Sequence, residues 1–174
     1  TYNIRVVNMS ISDDYWIFDD REDCDTSAGE VAYAYNDLAA NGMVLVVAAG
    51  NASSTWGLAY PSCLSSALAV GASSKTDAIA SFSNRGELLD IYGPGVSITS
   101  AQGGGQFVSY SGTSMAAPHV AGAAACVVNM INPTDPTGPI DAEQVKRRLR
   151  LTGVQILDPT TNVGTPRVDL ARAM

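Results

Sequence analysis

The chain has 174 residues, which at about 150 per domain is one folding unit. Its 46% hydrophobic and 16% charged residues exclude a disordered chain, and a mean hydropathy of +0.08 excludes a protein built mainly of membrane spans. A net charge of −7 argues against nucleic acid as a partner.

The chain opens at Thr1 without a methionine and runs directly into residues 4–11, which read as a strand, so the sequence is expected to start in mid-fold. Residues 13–25 follow with Asp13, Asp14, Asp19, Asp20, Glu22, Asp23 and Asp25 against Arg21 alone, nearly all of the net charge. Calcium takes several oxygen ligands, but the spacing is not that of an EF-hand loop and no glycine marks its tight turn. The segment is therefore expected to be a solvated acidic loop; calcium is not assigned to any residue and no other cofactor is expected.

Ser27 and Glu30 have the spacing of a capping box, and Val31, Ala34, Tyr35 and Leu38 repeat at helical intervals up to Gly42. Residues 43–49 are an unbroken apolar run of strand length, as a parallel strand covered on both faces requires. Residues 67–71 and 88–92 read as further buried strands, and Gly103-Gly104-Gly105 as the turn of a hairpin joining 97–100 to 106–110. Residues 115–131 hold no charge, yet Pro118, His119 and Asn129 make them too polar and too short for a bilayer of roughly 30 Å, so a helix wholly surrounded by protein is expected, with no membrane partner. Asp141 and Gln144 should cap a helix through Val145 and Leu149, with Arg147, Arg148 and Arg150 on a solvated face. Residues 166–170 should begin a terminal helix.

The three cysteines sit in different settings: Cys24 in the acidic segment, Cys63 in a loop, Cys126 within the apolar helix. Spacing alone leaves open one bridge with a free thiol, as export would permit, or three inert thiols in the cytosol.

Gly112-Thr113-Ser114-Met115-Ala116-Ala117-Pro118-His119-Val120-Ala121-Gly122 carries the chemistry. It sets a serine hydroxyl at the N-terminus of a long helix, where free N–H groups and the helix dipole favour developing negative charge, as an acyl-transfer nucleophile needs. A plain N-cap role for Thr113 or Ser114 explains the same residues equally well on physical grounds.

The stretch closely resembles the nucleophile signature of the subtilisin-like serine proteases. Val7-Asn8-Met9-Ser10-Ile11 is similar to the family's substrate-binding strand, and Ala48-Ala49-Gly50-Asn51 to the strand end with its oxyanion asparagine. Ser81-Phe82-Ser83-Asn84 and Gly93-Pro94-Gly95-Val96 resemble two further signatures, so the likeness runs from Ile4 to Leu170. It covers the C-terminal portion of a single catalytic domain, residues 1–174. The implied fold is α/β, three-layered, with a mainly parallel sheet, helices on both faces, and an incomplete N-terminal side.

The resemblance implies that Ser114 is the nucleophile of a serine endopeptidase and that Asn51 donates to the tetrahedral oxyanion with the Ser114 N–H as second donor. His119, the only histidine, lies five residues on, about 7.5 Å along the helix axis and some 140° around it, too far to act as base; a buried structural role is expected. The family's Asp and His precede the serine and would lie upstream of Thr1, so this chain alone is expected to be inactive and to need that N-terminal part as partner. A non-catalytic relative that kept the fold as a binding or structural domain is the alternative. The implied substrate is a polypeptide held as an added strand by Ser10, Ile11, Ser12, Ala49 and Gly50. The uncharged walls Ile11, Ala48, Ala49 and Gly50 suggest apolar or aromatic P1 residues, with Ser12 in place of the family's usual glycine. Similarity of Cys24-Asp25 and Tyr60-Pro61-Ser62-Cys63 to paired loop cysteines in bacterial members implies a Cys24–Cys63 disulfide, a free buried Cys126 and a secreted protein.

Overall fold

The computed structural model describes residues 3–133, 138 and 140–174. In chain order it contains β1 (Val6–Met9), β2 (Asp13–Phe18), α1 (Arg21–Ala28), α2 (Glu30–Ala40), β3 (Val44–Ala48), β4 (Leu58–Tyr60), β5 (Ala67–Ser73) and β6 (Ile91–Pro94). There follow β7 (Ile98–Gln102), β8 (Gln106–Tyr110), α3 (Thr113–Ile131), α4 (Ala142–Thr152), β9 (Val154–Leu157), β10 (Gly164–Arg167) and α5 (Leu170–Ala173).

Strand β3 is buried at all positions because both its faces are covered. Val44, Val46 and Ala48 meet Val120, Val127 and Leu149 of α3 and α4, while Leu45, Val47 and Ala49 meet Cys24, Ala32 and Tyr35 of α1 and α2. This period-two alternation of a wholly apolar strand produces the three layers, each fully buried Val or Leu contributing about 1.5–3 kcal/mol. The main sheet runs β1-β3-β5-β6-β10-β9. All neighbours are parallel except β9, which pairs antiparallel with β10. Val46 lies opposite Asn8 on one side and Leu68 on the other, and Val70 opposite Ile91. The fold is the mainly parallel α/β architecture expected, and β7 and β8 form the expected hairpin.

The acidic segment is not a loop. Asp13 and Asp14 begin β2, which pairs antiparallel with β4, Asp19 lies in the bend between them and the helix, and Asp20, Glu22, Asp23 and Asp25 cap or build α1. The Asp20 carboxylate caps that helix by accepting the Asp23 N–H at 3.0 Å, and Glu22 and Asp23 in the first turn complement the helix dipole. Arg21 fixes its position, donating to the carbonyls of Leu64 and Leu88 and to Asp90. A Cys24–Cys63 disulfide, Cα atoms 6.0 Å apart, ties α1 to the loop after β4.

Several local expectations give way to tertiary contacts. Ser27 lies in the last turn of α1, and α2 starts after Gly29 (φ 54°) with no side-chain cap, so the capping box does not form. Residues 88–90 precede β6 in a turn, because the buried Asp90 carboxylate accepts the Ala69 N–H of β5 and draws in Arg21 and Arg150. Arg148 donates to the Ala173 carbonyl, leaving only Arg147 of the basic trio exposed. Asp141 caps α4 by accepting from the Glu143 N–H, without Gln144. Pro166 and Arg167 belong to β10, where Arg167 pairs with Tyr92 and forks onto Asp77; the terminal helix starts only at Leu170, capped by Asp169. Helix α3 is long and apolar enough to cross a membrane by composition, but it packs against β1, β3, β5, β6 and α4. It is not wholly surrounded: Pro118, His119, Gly122, Ala125 and Asn129 form an exposed stripe, and Cys126 beside it is half-buried and free rather than buried.

Candidate active site

The C-terminal end of β3, the turn at Asn84 and the N-terminus of α3 converge where β1 ends. Gly50 adopts φ 99°, a left-handed conformation, and a Cβ there would come within 2.7 Å of Ala59 Cβ and closer still to the Asn84 amide and Asp14 Oδ1, so only glycine fits. The buried Asn84 then organises the segment after β3. Its Oδ1 accepts the N–H groups of Ala52 and Ser54 at 2.9 and 3.0 Å, its Nδ2 donates to the Ala49 carbonyl at 3.1 Å, and its backbone N–H donates to the Gly50 carbonyl. Both polar atoms of this buried side chain have partners, which makes the turn rigid.

Asn51 is thereby presented to α3. Its Oδ1 accepts from the Thr113 N–H at 2.9 Å and the Thr113 hydroxyl at 3.1 Å, while Thr113 Oγ1 accepts from the Gly50 N–H. Two donors on one oxygen fix the amide's orientation, leaving the Asn51 Nδ2 protons and the Ser114 N–H without an acceptor among the described residues. Both lie around Gly112, where a Cβ would be 3.7 Å from Asn51 Oδ1 and from Ser114 N. The cap of α3 is Gly112, so neither Thr113 nor Ser114 caps the helix; both sit inside its first turn. The approach of Gly112 to β6 explains the second glycine of Gly93-Pro94-Gly95-Val96. Gly95 accepts the Gly112 N–H at 2.8 Å, and a Cβ at 95 would meet Ala72 Cβ at 2.6 Å.

Ser114 and Ser10 lock β1 to α3. Pro118 has no N–H, so the carbonyl four residues before it, that of Ser114, lacks its helical donor; the Ser10 hydroxyl supplies one at 2.8 Å. In return the Ser114 hydroxyl donates to the Ser10 carbonyl at 3.2 Å. A cleft of about 370 Å³ flanks Ser114 between Ile98–Ser100 of β7 and Met115, Pro118 and His119. His119 is exposed, not buried, and its Nδ1 lies 2.8 Å from the Met115 carbonyl of its own helix.

The structure thus brings Ser114, Asn51, Ser10, Ala49 and Gly50 together, with Ile11, 60% exposed, and Ser12 continuing beyond β1. Sequence reasoning missed Thr113 as the link between Asn51 and α3, and Asn84 as the support of the turn, although the Ser81-Phe82-Ser83-Asn84 signature flagged that segment. It missed Asp14 too: its Oδ1 accepts from the Asn51 N–H and the Ser12 hydroxyl, both at 3.1 Å. Only strand pairing places Asp14 there. Among the described residues no group of three or more His, Cys, Asp or Glu is arranged to hold a metal ion.

Away from the site, burial and then the nearby Tyr60 push the Tyr35 phenol up to about 12, and burial raises Tyr60. Burial works to raise the Asp158 carboxyl, but the Thr160 N–H, the Arg85 charge and hydrogen bonds from Thr161 and Arg85 outweigh it and hold it below the usual carboxylate range.

Comparison with known proteins matches these signatures. The sequence pattern of the Subtilase family fits residues 2–170. The chain is 50% identical over 101 residues to the subtilisin-like serine protease Pen ch 13.0101 of Penicillium rubens, covering 56% of this chain and 25% of that protein. With subtilisin E of Bacillus subtilis (strain 168) it shares 38% identity over 130 residues, 73% of this chain and 31% of the relative. The chain thus spans about a quarter to a third of these relatives. The solved structure of the patellamide maturation protease PatA superposes with a TM-score of 0.80 at 28% identity, covering 97% of this chain and 61% of that one.

Proposed function

The chain belongs to the subtilase family, and from that premise we propose that it supplies the nucleophile and oxyanion-binding side of a serine endopeptidase whose Asp and His are carried by sequence preceding Thr1. The observation that carries this reading is the Asn51 amide, clamped through Oδ1 by Thr113 so that Nδ2, together with the Ser114 N–H, is free to donate. In this mechanism a polypeptide lies as an added strand along Ser10, Ile11 and Ser12 on one side and Ala49 and Gly50 on the other. Ser114 Oγ leaves its resting bond to the Ser10 carbonyl and attacks the scissile carbonyl carbon while its proton passes to the histidine. The oxyanion accepts from Asn51 Nδ2 and Ser114 N–H. Collapse breaks the C–N bond as the histidine protonates the leaving amine. Water, deprotonated by the same histidine, then releases the acyl group from Ser114.

Two features support a catalytic-domain portion that completes this one. Strand β1 is an edge of the main sheet, and the exposed stripe on α3 lies on the helix that also bears Ser114. Without the histidine, Ser114 is a neutral hydroxyl. The isolated chain then retains only the oxyanion donors, which supply about 10³–10⁴ over water in triad-stripped enzymes, a figure carried over from subtilisin and its analogues. The Cys24–Cys63 bridge fits an oxidising compartment and hence a secreted protein.

The test is hydrolysis of an unstructured polypeptide by the full-length protein, its Ser114→Ala variant and the isolated chain. Hydrolysis by the first alone is expected. Folded full-length protein that cleaves nothing would overturn the reading in favour of a non-catalytic domain.

A further inference from the structure

Asp14 stands apart from the other carboxylates near the sheet. Asp90 is held by Arg21 and Arg150, Asp158 by Arg85, and Asp77 by Arg167. Asp14 has no cation among the described residues. Its Oδ1 instead bridges the segments that follow β1 and β3, accepting from the Ser12 hydroxyl on one and the Asn51 N–H on the other. It occupies space left by the missing Cβ of Gly50, so the carboxylate reaches this position only because residue 50 is glycine. Its Oδ2 makes no hydrogen bond or ion pair among the described residues, and the exposed carboxylate lies beside Gly50, whose missing Cβ would also meet the buried Ala59.

We propose that Asp14 determines specificity at this site and selects polypeptides with lysine or arginine at P1, the residue whose carbonyl Ser114 attacks. This rests on the peptidase reading and departs from the apolar or aromatic preference that the wall residues alone suggest. The P1 side chain leaves the attacked residue beside Asn51, and the walls on either side are the segments that Asp14 bridges. An ammonium or guanidinium there meets Oδ2 in a charge-assisted hydrogen bond while its hydrocarbon stem packs beside Gly50 and Ala59. A phenyl or branched aliphatic group would strip water from the unpaired oxygen without replacing its hydrogen bonds. A P1 carboxylate would be repelled.

The experiment uses the full-length protein with peptides identical except at P1, which carries Arg, its uncharged isostere citrulline, or Phe, alongside phosphonylation of Ser114. Wild type should cleave the Arg peptide with a kcat/KM roughly ten- to a hundredfold above the citrulline peptide, the range of a charge-assisted hydrogen bond. Asp14→Asn should collapse that ratio towards one, while Asp14→Glu should retain part of it. Cleavage with Arg and citrulline equal, or a ratio unmoved by Asp14→Asn, would overturn this assignment and leave the peptidase reading intact. No cleavage of any peptide and no labelling of Ser114 would overturn both.

Discussion

The junction at Ser114 and the acidic arm of residues 13–28 touch where Asp14 accepts the Asn51 N–H, yet each is held together in an opposite way. At the junction, short polar side chains are saturated with short-range hydrogen bonds: Asn84 makes three through its amide, Asn51 Oδ1 takes two, and Thr113 both gives and receives. The arm is fixed at separate points by distant parts of the chain, namely Arg21 on Leu64, Leu88 and Asp90, the Cys24–Cys63 bridge, and Asp25 accepting the Ser65 N–H. Ahead of these points it exposes Tyr15 (95%) and Trp16 (64%). The junction is rigid through local satisfaction and the arm through cross-links, so chemistry that depends on sub-ångström placement belongs at the junction, and recognition that tolerates movement belongs on the arm.

Changes to Ser114 and Asn51 should therefore cost activity far more than stability. In the full-length protein Ser114→Ala should lower kcat by about 10⁶ and Asn51→Ala by about 10²–10³, magnitudes taken over from subtilisin itself. Circular dichroism and urea midpoints should change little. A large loss of stability on Asn51→Ala would mean that its bonds to Thr113 serve folding first.

Asn84→Ala tests the support rather than the chemistry. It strands the buried Ser54 N–H, while the Ala49 carbonyl keeps the Ala59 N–H, so we expect a loss of about 1–3 kcal/mol in urea unfolding, together with reduced kcat as the Gly50–Asn51 turn loosens. Unchanged stability would show that the turn is held by its backbone alone.

For the arm the order reverses. The bridge closes a sequence separation of 39 residues, and Cys24→Ser should cost about 2–4 kcal/mol while leaving the junction's geometry and kcat largely intact. A comparable fall in kcat would break the contrast by showing that the arm transmits strain to Asn51.

The contrast also separates what the sequence discloses from what it does not. Residues 112–122 and 48–51 were legible as segments that meet because their signatures fix particular residue types at particular positions: a glycine cap, a serine in the first turn, an asparagine after a buried strand. The sheet was legible through β3, whose continuous apolar run requires two covered faces. The form of the arm was not, because seven acids around one arginine resemble a solvated loop until Arg21 and Cys24 find partners far along the chain. Asp14 escaped notice for the same reason: the pairing of β2 with β4, not local sequence, delivers it to Asn51. His119 and the α3 stripe misled in the other direction, since an apolar helix with small residues looks surrounded when only one face is.

The smallest expected effect lies remote from both regions. Asp158 titrates below its ordinary value of 3.8 in the folded state, so its pairing with Arg85 stabilises above that value and is lost as pH falls through the lower, folded one. The stability gap between wild type and Asp158→Asn should accordingly be constant from pH 8 to about pH 5 and close in stronger acid. A gap that widens in acid would reverse the sign assigned here.

The most direct measurement of the central claim is stoichiometric labelling by an active-site-directed fluorophosphonate, read by mass spectrometry on the full-length protein and on the isolated chain under conditions where both are folded. The account predicts rapid modification at Ser114 in the full-length protein and none on the same timescale in the isolated chain. Rapid labelling of the isolated chain would contradict it by showing that a base lies within residues 1–174, and a folded full-length protein that stays unlabelled would contradict it by showing that Ser114 is not a nucleophile.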